Sequence, residues 1–139
     1  MLRYSGYIKY SYYMTLDNGQ FEELVTEAID NIPKQYQDKM KTVAILVQDY
    51  PTPAQVQKLQ LKNGRQLFGL YEGVPLPQRG GAVRMIAPDT ITIFKHPMQE
   101  MFTSLHGLKT QIFETLWHEV AHYFGLDHQA IHAAHNHKK

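Results

Sequence analysis

The chain has 139 residues, 43% of them apolar and 19% charged, which is the profile of a single globular domain large enough for a real core. Its 14 basic and 13 acidic residues leave a net charge of +1 with no block of like sign, so neither nucleic acid nor an anionic membrane is expected as a partner. Cysteine is absent, which excludes disulfides and thiolate metal ligands and suits the cytoplasm; no apolar run approaches the roughly 20 residues of a membrane span.

Residues 1–14 crowd Tyr4, Tyr7, Tyr10, Tyr12 and Tyr13 among few charges. They read as an added edge strand, a loose tail, or a leader ahead of a start at Met14, and no function is assigned to them. The domain proper begins at Asp17 or Asn18, either of which can cap a helix whose apolar face is Phe21, Leu24, Val25, Ala28 and Ile29. Pro33 ends that helix. The continuous aliphatic run 43–47 predicts a buried strand, broken by Pro51. Thr52 and Pro53 then open a short helix, and Lys62-Asn63-Gly64 is a turn.

A second strand is expected over 67–72. The run 73–81 after it holds two prolines and three glycines and reads as an irregular loop able to border a cleft. Thr90-Ile91-Thr92-Ile93-Phe94 alternates and is β-branched, which predicts a third strand. A helix over about 97–104, a turn at His106-Gly107 and a long helix over about 108–124 complete the order. The expected architecture is α+β: a sheet of three or four strands packed on helices, followed by a histidine-rich tail over 130–139.

The long helix carries the chemistry. His118-Glu119-Val120-Ala121-His122-Tyr123-Phe124-Gly125-Leu126-Asp127-His128 reads H-E-x-x-H-x-x-G-x-x-H. Two histidines four apart stand one above the other on a helix and can share one metal. Glu119, adjacent to the first, reaches the metal's neighbourhood without being a ligand and can take a proton from a zinc-bound water. Gly125 can adopt left-handed backbone and end the helix, so that the chain turns back and His128 approaches the same ion. Three protein ligands leave the open position of a catalytic zinc site. Phe113, Leu116, Trp117, Val120 and Phe124 form a stripe that holds this helix to the core, with His118 and His122 on the opposite side beside Gln111 and Thr115. His96 and His106 read as turn residues, and His132, His135 and His137 as part of a solvated tail.

These residues resemble the extended zincin pattern of the metzincins, although every methionine lies upstream of the motif, so the Met-containing turn of that group has no counterpart. The sequence is more similar to the small bacterial zincin-like metallopeptidase family. The similarity runs from Phe21-Glu22-Glu23-Leu24-Val25 through Tyr71-Glu72-Gly73-Val74-Pro75 and Ile91-Thr92-Ile93-Phe94 to the zinc motif. That resemblance implies a minimal, reduced metzincin-like fold with the motif helix beneath a small sheet and a strand edge near the metal. Members often carry Asp at the third ligand position; here His128 stands there, with Asp127 beside it as the alternative.

The implied function is zinc-dependent hydrolysis of a peptide or amide bond, with one zinc on His118, His122 and His128 and Glu119 as general base. A peptide or protein substrate is expected to pair with the 91–94 strand if that strand is an edge. Tyr71, Tyr123 and Arg79 are the candidates to steady the developing oxyanion. Two other readings remain open: a zinc-dependent ribonuclease-like hydrolase, and a non-catalytic zinc-stabilised binding module.

Overall fold

The structure, a computed structural model, describes residues 16–75, 77 and 88–126. Among the described residues eight elements follow in chain order: α1 (Asn18–Asp30), α2 (Lys34–Gln37), β1 (Ala44–Gln48), α3 (Pro53–Lys58), β2 (Gly69–Glu72), β3 (Thr90–Phe94), α4 (Lys95–Met101) and α5 (Leu105–Tyr123). The class is α+β with a three-stranded sheet, as expected for a minimal zincin-like domain.

Local chemistry sets the helix starts. Asp17 accepts from the Gln20 amide at 2.8 Å while the Gln20 side chain accepts from the Asp17 amide at 3.0 Å, a reciprocal cap on α1. Thr52 and Gln55 repeat the arrangement on α3, with Pro53 in its first turn. Ser104 caps α5 by accepting from the Gly107 amide at 3.0 Å. The expected turn at His106-Gly107 is therefore the first turn of α5, which starts at Leu105 rather than 108. The preceding helix is likewise earlier than expected: α4 follows β3 directly at Lys95.

The strand order is β1-β3-β2, with β1 parallel and β2 antiparallel to β3. β3 is thus the centre of the sheet, and the expectation that 91–94 could be a substrate-binding edge is corrected. Its burial agrees: Ile91, Ile93 and Phe94 are fully buried and Thr92 nearly so. Among the described residues no strand pairs with the outer side of β2, which faces α5.

Among the described residues one buried cluster joins α1, β3, α4 and α5. Phe21, Val25 and Ala28 of α1 meet Ile91 and Ile93 of β3, Met98 of α4, and Leu108, Ile112, Leu116, Val120 and Tyr123 of α5. On α5 this seam differs from the expected stripe. Leu116, Trp117 and Val120 belong to it, but Phe113 and Phe124 are only partly buried, and Leu108, Ile112 and Tyr123 take the inner places. Lys95 is buried at the α4 start, where its ammonium donates to Asn18 Oδ1 at 3.0 Å, the kind of partner a buried cation requires. No helix among the described residues is long and apolar enough to cross a membrane.

Candidate metal centre

α5 presents the motif where it crosses β2. His118, Glu119 and His122 each place a potential ligand atom within 4.8 Å of the others. The two imidazole rings lie 4.5 Å apart, as i and i+4 positions on one helical face should. Glu119 is buried, His118 half-buried and His122 exposed, so the group sits at the surface with its carboxylate turned inward.

The carboxylate is held from the sheet. Tyr71 donates its backbone amide to Glu119 Oε1 at 2.9 Å, and His122 Nδ1 stands 3.5 Å from the same oxygen. Strand pairing explains why that amide is available. Phe94 donates to the Phe68 carbonyl at 2.8 Å, and the β2–β3 register sets Leu70 opposite Thr92 and Glu72 opposite Thr90. In an antiparallel ladder the intervening residues, Gly69 and Tyr71, then turn their amides and carbonyls to the outer edge, facing α5. Burial raises the Glu119 pKa above the ordinary carboxylate value, while His118 and the Tyr71 amide oppose that shift. A carboxyl group moved toward neutrality is suited to general-base work.

The close packing of α5 on β2 depends on Gly69. A β-carbon there would lie 2.5 Å from Thr115 Cγ2 and 3.3 Å from the Thr92 carbonyl oxygen. At the other end, Gly125 adopts φ +73°. Gly125 donates to the His122 carbonyl and Leu126 to the Ala121 carbonyl, both at 3.0 Å, which closes α5 in a Schellman turn as the motif requires. His128 and Asp127 lie outside the described residues, as do Arg79 and the tail histidines.

A groove of about 290 Å³ opens beside the cluster, between Leu67, Phe68 and Gly69 on one side and Gln111, Glu114, Thr115, His118 and Glu119 on the other. The hydroxyls of the two tyrosines named as oxyanion candidates each make a hydrogen bond within the fold. The Tyr71 hydroxyl donates to Asp89 Oδ2 at 2.7 Å, and the buried Tyr123 hydroxyl donates to the Lys39 carbonyl at 3.3 Å. What the sequence reading missed is the Tyr71 backbone amide, whose only trace in the sequence is the strand pattern around it.

Two imidazoles with a buried carboxylate beside them, and no thiol in the chain, offer chemistry that fits a borderline divalent cation such as zinc. Fold and cluster together fit a zincin-like domain whose His118, Glu119 and His122 could hold a metal ion. The profile of the zincin-like metallopeptidase family matches residues 40–137, well over half of the chain, and the chain belongs to that family. Membership implies a metal, typically zinc, and points to metallopeptidase-type hydrolysis. Comparison with curated proteins returns no match.

Proposed function

We propose that this chain is a zinc-dependent peptidase acting on an extended peptide or protein segment. His118 and His122 hold one zinc ion, and His128 adds the third ligand by the turn that Gly125 begins, with Asp127 the alternative donor. Zinc bound there supplies an acidified water and an electrophile for the carbonyl oxygen. Glu119 accepts the proton of the attacking water as the new C–O bond forms. It then gives that proton to the amide nitrogen as the C–N bond breaks, so the base of the first half is the acid of the second. The cysteine-free sequence is consistent with work in the cytoplasm.

One observation carries this reading: Glu119 is buried, lies between two imidazoles and is fixed through one oxygen by a main-chain donor. A carboxylate serving only as a surface charge would have no need of such a mount. Glu119→Gln keeps the side chain's shape and its acceptor for Tyr71. It should bind zinc as the parent does while losing peptide hydrolysis by roughly 10²–10⁴-fold. Hydrolysis at the parental rate by the zinc-loaded variant would remove Glu119 from the mechanism.

A further inference from the structure

We propose that the groove beside Glu119 is a specificity pocket for a lysine or arginine side chain of the substrate, and that Glu114 selects it. This rests on the peptidase reading for the nature of its occupant and goes beyond it in naming the substrate class. The groove begins at His118 and Glu119 and continues toward Gln111, along α5 in the direction of its N-terminus. A residue bound at the reacting centre would therefore send its side chain along it.

The wall chemistry changes along that path. The sheet side of the groove is Leu67, Phe68 and Gly69, apolar or without a side chain, which suits a methylene stem. Farther out stands Glu114, whose carboxylate is exposed. It lies four residues before His118 and so one turn along the same face, about 6 Å of axial rise. That separation is comparable with the stem of a lysine or arginine. Gln111 lies one turn nearly in line with Thr115, and its amide donates to Thr115 Oγ1 at 2.8 Å, leaving its carbonyl oxygen as an acceptor. No lysine or arginine stands among the described residues that line the groove. An occupant with an apolar stem and a cationic head bearing several donors matches both ends. An acidic side chain would meet Glu114 as a like charge. Because Glu114 is exposed, water screens it, and the discrimination should be moderate, about fivefold.

The test compares labelled hexapeptides that differ at one central position, which holds lysine, its neutral isostere norleucine, or glutamate. Binding is read by fluorescence anisotropy on the zinc-loaded full chain carrying Glu119→Gln, so that no turnover intervenes. The lysine peptide should bind about fivefold more tightly than the norleucine peptide and the glutamate peptide most weakly. Adding Glu114→Gln should bring lysine and norleucine within twofold of each other, and Glu114→Lys should favour glutamate. Equal binding of lysine and norleucine, a lysine preference that survives Glu114→Gln, or no binding of any peptide would each overturn the proposal. Cleavage by the parent chain is measured alongside. Lysine-selective binding without cleavage leaves the pocket standing and sinks the peptidase reading; cleavage without lysine selectivity does the reverse.

Discussion

At the scale of single residues, the buried carboxyl group of Glu119 weighs on stability. Its pKa is raised chiefly by burial, with His118 and the Tyr71 amide acting in the opposite direction. A carboxyl group whose pKa is higher folded than unfolded favours the folded state fully below its unfolded pKa, about 4.3. That contribution is lost as pH rises through the folded value. Metal-free protein carrying Glu119→Gln should therefore melt at a higher temperature than the metal-free parent at pH 7, and the gap should close toward pH 4. A gap that is absent, or that widens on acidification, would contradict the assignment. Gly69 makes a second prediction at this scale. Gly69→Ala puts a methyl group 2.5 Å from Thr115 Cγ2, an overpacking that should cost about 1–3 kcal/mol in urea unfolding. Thr115→Ala should recover much of that loss in the double variant, since it removes the clashing atom.

At the scale of elements, both ends of α5 are closed by local chemistry, Ser104 at one and Gly125 at the other. Gly125→Ala forces a β-carbon into left-handed backbone beside Pro77 and should destabilise the protein by about 1–2 kcal/mol. Chemical denaturation reads this directly, and an unchanged midpoint would mean that the turn relaxes without cost. The same closures show what was legible in the sequence. Caps, the motif's i, i+4 spacing and the alternation of β3 depend on neighbours within a few residues, so they could be read along the chain. The α5 start is less legible, because His106-Gly107 looks like a turn while the cap that decides it is Ser104, three residues before Gly107. The place of β3 was not legible at all. Whether a strand is central or an edge depends on partners as distant as Ala44 and Glu72, and nothing in 91–94 marks it. Nor does a main-chain donor such as Tyr71 leave a signature of its own. The grouping of His118, Glu119 and His122 was legible because metal chemistry restricts both residue type and spacing.

At the scale of the whole molecule, the core and the metal cluster are separate. The buried cluster joins α1, β3, α4 and α5 through their apolar sides, whereas His118 and His122 sit on the outward side of α5 by the β2 edge. Chelation should therefore leave the helical circular-dichroism spectrum in place while lowering the melting temperature, as expected when a ligand that binds only the folded state is withdrawn. Collapse of the spectrum would instead favour the zinc-stabilised module considered from the sequence. The central claim is that one zinc ion is held by the motif with a coordination position left for reaction. Anomalous diffraction from crystals of the zinc-loaded chain tests it most directly. It should show one zinc site about 2.0–2.1 Å from an imidazole nitrogen of each of His118, His122 and His128. A solvent oxygen should complete the shell, and the Glu119 carboxylate should stand near the ion without binding it. Zinc found elsewhere, or enclosed by four protein ligands, would contradict the account.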